Sequence, residues 1–196
     1  MKSALVHCRY IAHVALMLNL GVVGLYAQEN PVKMKFSGTA GPSTVNLQIP
    51  NTLGAEYNLT GKGSLGSFTF RTVSASAPSQ NPPGTCSGPN HIYGQAVAGG
   101  GVLRFADGSL MKVNLTDGSD CIDLEANQAL CIRVFQITGG TGRFTNASGT
   151  LTFTETLLPV VADATQNPVL FADTGVAEGW VLGVGQGENS EGEDSH

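Results

Sequence analysis

From residue 30 onward apolar and polar side chains alternate with a period of two. Val32, Met34 and Phe36 fall on one side of a strand, and Lys33, Lys35 and Ser37 on the other. The same pattern runs through residues 44–49, where Val45, Leu47 and Ile49 share a face, and through Ala55, Tyr57 and Leu59. Phe68 and Phe70 mark another strand, and residues 101–106, 109–116, 131–137, 150–157 and 175–182 extend the series. Helical periodicity is nearly absent. Strands with one apolar face must bury that face and also deal with their unpaired edges. An antiparallel sheet that closes on itself does both, so the expectation is an all-β chain forming an antiparallel β-barrel.

Asp107-Gly108 lies between two of these strands, and the pair predicts a tight hairpin of type I′, whose central residues need positive φ. Two longer connections are expected at residues 74–91, around Pro82-Pro83-Gly84, and at residues 159–173. Connections of this length often form binding rims.

Residues 1–27 carry Lys2 and Arg9, then an apolar run to Tyr26 and small Ala27, a pattern that predicts a cleaved signal peptide and a secreted or periplasmic protein. No later segment is apolar enough to cross a bilayer as a helix, so no integral membrane insertion is expected once the signal is removed. The chain divides into signal (1–27), barrel domain (28–184) and an acidic, solvated tail (185–196). The full chain has 10 basic and 15 acidic residues. Losing Lys2 and Arg9 leaves 8 against 15, a net charge of −7. Such an excess of carboxylates repels phosphate and argues against a nucleic-acid partner. At 13% charged and 41% apolar residues, a disordered chain and a long coiled coil are both excluded.

Cys8 would leave with the signal, so Cys86, Cys121 and Cys131 remain in an oxidising compartment, and their odd number leaves a thiol unpaired. Cys121 and Cys131 flank one short connection. They are the favoured disulfide, worth about 2–3 kcal/mol, ahead of Cys86 with either. Three thiols without a CxxC pair do not make a metal site, and no metal is expected.

The segment Gly139-Gly140-Thr141-Gly142-Arg143-Phe144-Thr145-Asn146-Ala147-Ser148-Gly149 resembles the GGTGxFxxAxG turn of dirigent proteins. It is also similar to a turn in the related allene oxide cyclase barrel and in uncharacterised secreted bacterial proteins, a group that Gly61-Lys62-Gly63-Ser64-Leu65-Gly66-Ser67-Phe68-Thr69 resembles too. The resemblance implies a calycin-like barrel. In it Gly139, Gly140 and Gly142 would turn the backbone tightly, Phe144 and Ala147 would plug one end, and Gly149 would restart the next strand. Thr145 and Ser148 stand where dirigent proteins usually carry arginine, and no motif matches that family's catalytic residues. A mononucleotide loop at the same glycines is not supported, since no phosphate-binding lysine and no helix follow; no cofactor is expected.

Past the signal only His91 and the terminal His196 remain, which removes the usual base of hydrolase chemistry and any multi-histidine metal centre. His91 reads as a surface imidazole. Asp117, Asp120, Asp123 and Glu125 cluster near one connection, where a solvated loop explains them better than a calcium site. Polar residues on apolar faces are more informative. Parity puts Glu155 with Leu151, Phe153 and Leu157, and Arg133 with Cys131, Phe135 and Ile137. With Ile137 opposite Leu151, Phe135 would meet Phe153 and Arg133 would meet Glu155 as an inward charge pair. Glu178, Trp180 and Tyr57 are further candidates to line the interior. No catalytic residue is assigned.

These features lead to a secreted or periplasmic barrel that is a non-enzymatic binding or structural module for an apolar or aromatic small molecule. One alternative is an enzyme of the allene oxide cyclase or dirigent kind, with Arg133, Glu155 and Tyr57 steering a reactive intermediate. A second is a cell-surface interaction module working through its loops. If Phe68, Phe70, Phe135 and Phe153 fill the interior, it is a solid core and the interior-ligand readings weaken. Asn58-Leu59-Thr60, Asn114-Leu115-Thr116 and Asn146-Ala147-Ser148 match glycosylation acceptors, from which nothing is concluded.

Overall fold

The computed structural model describes residues 29–185; the expected signal peptide (1–27) and residues 186–196 of the expected tail lie outside them. The strands are β1 (Asn30–Pro42), β2 (Leu53–Gly63), β3 (Gly66–Pro78), β4 (His91–Phe105), β5 (Leu110–Asp123), β6 (Gln128–Gly140), β7 (Ser148–Ala162) and β8 (Pro168–Leu182). Each pairs antiparallel with the next, and β8 returns to β1 to close an eight-stranded barrel. The all-β barrel expected from alternation is the architecture that forms.

The inner wall is built from aromatic rings set over small residues. Phe36 faces Gly175 across the β1–β8 seam, and a Cβ placed on Gly175 would come within 2.6 Å of the Phe36 ring. Gly101 on β4 makes the same room for Phe70, with 2.6 Å to its ring. The rings then pack on one another. Phe153 lies 5.3 Å from Phe36, 5.0 Å from Phe70 and 5.5 Å from Phe135, centroid to centroid. Such tilted and edge-on pairs are the favoured aromatic geometries.

One end of the barrel, where β2–β3, β4–β5 and β6–β7 connect, is plugged. A 3-10 turn at Gly142–Phe144 drives Phe144 inside, where it is fully buried against Phe105 at 4.7 Å, and Ala147 follows it. Gly142 (φ +58°) and Gly149 (φ +143°) hold conformations that residues with a side chain rarely adopt. The Arg143 guanidinium lies over Phe105 and Phe144, forms an ion pair with Asp107 at 2.8 Å, and donates to the Leu65 carbonyl. The plug expected from the Gly139 to Gly149 turn is thus present, with Arg143 tying it to two neighbouring turns.

Several local expectations change. Residues 44–49 do not pair as a strand: Ser43 and Asn46 side chains accept from the backbone of Val45 and Gln48, and Gln48 and Asn51 take positive φ, so local turn bonds replace a ladder. The connection at 159–173 is mostly strand, since β7 and β8 extend to Ala162 and from Pro168 and leave a short Asp163 turn. The loop at 74–91 shrinks to residues 79–90 for the same reason. The hairpin at Asp107-Gly108 forms, but only Gly108 has positive φ, and Phe105 accepts from Gly108. It is a turn closed by a left-handed glycine and not type I′.

Between β6 and β7 the register is two residues from the one expected. Ile137 pairs with Gly149, Arg133 with Phe153 and Cys131 with Glu155. The plug sets where β7 restarts. A slip of two preserves parity, so Arg133 and Glu155 still face inward.

The disulfide expectation is also corrected: Cys86 is bonded to Cys121, with Cα atoms 5.7 Å apart, and Cys131 is a buried free thiol. The reason is again parity. Cys121 lies opposite Leu130 on the outer face of the sheet, whereas Cys131 lies opposite Asp120 on the inner face. Cys86, in a 3-10 turn of the β3–β4 connection, reaches the outer face and anchors that loop.

Because a Cβ on Gly175 would meet both the Thr154 carbonyl and the Phe36 ring, Gly175→Ala is expected to destabilise the barrel by about 1–3 kcal/mol through overpacking. Urea unfolding would read this as a lower midpoint at unchanged slope; an unaltered midpoint would mean the Phe36 ring has room to spare.

Candidate functional site

Directly beyond the layer formed by Phe70, Phe135 and Phe153, toward the unplugged end, the inner wall turns polar. Tyr57 (β2), Thr72 and Ser74 (β3), Arg133 (β6), Glu155 (β7) and Asp173 (β8) are all buried there, and Asp120 (β5) joins them. They come together because each occupies an inward position of its strand, and closure of the barrel brings those positions, from six of its eight strands, around one centre.

Arg133 organises one side. It is 3% exposed, and its Nη2 donates to Asp120 Oδ1 at 2.6 Å and to the Tyr57 hydroxyl at 2.7 Å. Its Nη1 donates to the carbonyls of Ser119 and Ile132, and the guanidinium sits 5.6 Å from the Tyr57 ring centre. The charge is therefore matched by Asp120, not by Glu155 as expected from sequence. Burial pushes the Tyr57 phenol and the Cys131 thiol well above their ordinary ranges, so both stay neutral and neither is an activated nucleophile.

Glu155 and Asp173 form the other side, two carboxyls on adjacent strands. Burial, followed by the neighbouring Asp173 charge, raises Glu155 well above the usual carboxyl range. Burial lifts Asp173 to about 6, against the opposing effect of a hydrogen bond from Glu155. No fixed N–H or hydroxyl donor reaches either Asp173 oxygen. A proton carried by Glu155 supplies the missing donor, which makes this a carboxyl–carboxylate pair.

The space among these groups is small. The cavity bounded by Tyr57, Ser74, Arg133, Glu155 and Phe153 has a volume of about 10 Å³, room for one water molecule. A much larger groove of about 510 Å³ opens on the side of the barrel near its unplugged end, bordered by Thr39, Pro42, Asn58, Arg71, Val169 and Leu170. Tyr57 and Thr72 border both spaces.

Of the interior candidates, Arg133, Glu155 and Tyr57 are brought together; Glu178 and Trp180 are not. The inward row of β8 is Asp173, Gly175, Ala177, Gly179 and Val181, so Glu178 and Trp180 point outward. Glu178 pairs there with Lys33 at 2.8 Å, both well exposed. Small residues fill the inward row because rings from neighbouring strands occupy the volume above them. Asp120 and Asp173 are interior residues that alternation does not mark. Asp120 shares the inward face with Cys131 only after the register shift between Leu115 and Asp117, which alternation alone does not reveal.

The other acidic residues do not converge. Asp117 accepts from the Gly118 amide, Asp123 from the amides of Glu125 and Ala126, and Glu125 from Asn90. Asp117 bonds within β5, Asp123 caps the β5–β6 turn, and Glu125 ties that turn to the β3–β4 connection. His91 opens β4 and lies 3.7 Å from Asp123. Among the described residues, no group of three His, Cys, Asp or Glu side chains is placed to hold a metal ion, and no helix is long and apolar enough to cross a membrane.

No protein-family model and no curated protein matches the sequence. Among solved structures the barrel is similar to the pterocarpan synthase dirigent protein PsPTS1, at 13% identity and a TM-score of 0.45 over 81% of this chain and 97% of that one. It is similar to a second pterocarpan synthase dirigent protein, GePTS1, at 11% identity and a TM-score of 0.37 over 78% and 88%. The Diels Alderase AbmU from Streptomyces koyangensis is similar at 14% identity and a TM-score of 0.37 over 91% and 83%. The likeness is one of barrel architecture and extends no further.

Arg133→Met would strand the Asp120 carboxylate and the Tyr57 hydroxyl without their donor, and is expected to cost about 3 kcal/mol. Adding Asp120→Leu should recover much of that loss in equilibrium unfolding. A single variant as stable as the wild type would show that the guanidinium does not hold this layer together.

Proposed function

We propose that the protein is an exported, non-enzymatic binding module that takes an apolar or aromatic small molecule in the groove beside the open end of the barrel. The observation that carries this reading is the contrast between the two spaces. The cavity among the inward polar groups holds about 10 Å³, whereas the groove offers about 510 Å³, within the roughly 300–1,000 Å³ range of small-molecule sites. Val169 and Leu170 expose apolar surface along it, with Ala40 and Pro42 beside them, and Arg71 and Asn58 provide polar points that could orient a ligand. Export is supported by the leader-like residues 1–27 and by the Cys86–Cys121 disulfide, which suits an oxidising compartment.

A second reading is favoured by the convergence of Arg133, Glu155 and Tyr57. In it the interior shapes a reactive intermediate, with these side chains polarising it. That reading requires the barrel to open, because the space around them admits only a water.

Anilinonaphthalene sulfonate, an aromatic dye whose fluorescence rises in apolar sites, tests the choice. The folded protein should bind it saturably, and Leu170→Glu should weaken binding about tenfold, the effect of losing some 1.4 kcal/mol, without changing the melting temperature. Binding indifferent to Leu170→Glu but lost in Glu155→Gln would place the site inside the barrel, and no binding at all would contradict both ligand readings.

A further inference from the structure

The Glu155–Asp173 pair occupies a place where a charged pair is poorly supported. Both residues are at most 3% exposed, yet the terminal nitrogens of Arg133, the cation in their layer, are given to Asp120, Tyr57 and two carbonyls, and its charge offsets the burial of the pair only in part. The groups facing the pair can be named strand by strand. From β6 come Cys131, directly opposite Glu155, and Arg133; from β5 Asp120; from β2 Tyr57; and from β3 the uncharged Ser74 and Thr72. The facing residues of β1 are Gly38, opposite Asp173, and Ala40, neither of which titrates. Nothing in this set offers Asp173 a donor except a proton shared with Glu155.

The pair also sits where β7 and β8 run on into a solvent-exposed hairpin, residues 160–170. The opposite end is fixed by the Phe144 plug and by Arg143. At this end β7 and β8 run past the polar layer into a hairpin whose pairing shifts register between Pro159 and Val161 and again between Val161 and Ala162. Leu157, opposite Asp173, is buried beyond the pair, whereas Phe171 is partly exposed. Irregular pairing and exposure mark the outer hairpin as a segment that opens at lower cost than the core.

We propose that Glu155 and Asp173 form a proton-held latch on the open end of the barrel: while they share a proton β7 and β8 stay closed over the polar layer, and when it is lost the outer ends of the two strands part and admit water. Two adjacent buried anions that share one cation with Asp120 cannot remain dry, and separation of their strands is the relief the topology allows. The inference does not depend on what the groove binds. Its direction with pH follows from linkage. Both carboxyls hold protons more tightly in the closed barrel than when hydrated, burial being the main cause for each. The closed form therefore binds more protons, and closure is favoured at low pH. It weakens as pH rises from the ordinary carboxyl range through about 6, where Asp173 titrates, and further as Glu155 follows.

Hydrogen exchange on the full exported chain, corrected for the intrinsic pH dependence of exchange, reads the latch directly. Between about pH 5 and about pH 9, protection of amides near Glu155 and Asp173 should fall about tenfold or more, while amides around the Phe144 plug hold steady. Glu155→Gln with Asp173→Asn should abolish that local pH dependence. If the double variant does not fold, Asp173→Asn alone, which keeps the shape and removes one charge, should reduce it. Constant protection in the wild type, an equal loss at both ends of the barrel, or an undiminished response in whichever variant folds would each overturn the latch.

Discussion

Phe36 over Gly175 and Phe70 over Gly101 express the constraint on which the rest of the barrel depends: each ring needs a neighbouring strand with no side chain beneath it. An eight-stranded barrel has an interior just wide enough for its own side chains. Filled by rings from β1, β3, β6 and β7, it leaves the inward row of β8 to Gly175, Ala177 and Gly179. The complementarity acts across the β1–β8 seam as well, so the same contact that fills the core helps to close the sheet.

This filling determines where polar groups can sit. With the Phe144 plug at one end and the ring layer in the middle, the level available to Arg133, Asp120, Tyr57, Glu155 and Asp173 is the one under the open end. There the two halves of the layer differ in kind. Arg133 donates through its two terminal nitrogens to a carboxylate, a phenol and two carbonyls, and behaves as a structural tie between β2, β5 and β6. Glu155 and Asp173 have each other and a proton. A stable tie on one side and a titratable pair on the other make β7 and β8 the responsive wall of an otherwise rigid enclosure.

Alternation in the sequence located most of the strands and the inward facing of Arg133, Glu155 and Tyr57, because there large apolar residues mark the buried row. It failed where that marker is missing. On β8 the buried row is made of small residues, so the bulky Glu178 and Trp180 looked like the interior and are the exterior. At residues 44–49 alternation is real, but Asn46 and Ser43 bond their own backbone and prevent pairing. The Cys121–Cys131 pairing rested on nearness along the chain, whereas the faces on which the two side chains stand decided against it. Parity could be read from residue types. Register depends on features that residue types do not show: a bulge turns Asp120 inward beside Arg133, and the plug sets where β7 restarts opposite β6.

The central claim is that the interior of this barrel is full, so that any ligand must bind beside it or wait for it to open. Xenon, an apolar probe that enters dry cavities, tests this most directly in the folded protein at a pH where the barrel is closed. Xenon NMR of the wild type should show no slowly exchanging bound signal, and Phe153→Ala should gain one where the ring was removed. A bound-xenon signal of comparable size in the wild type would contradict the account, because it would place an apolar chamber where the rings are described as meeting.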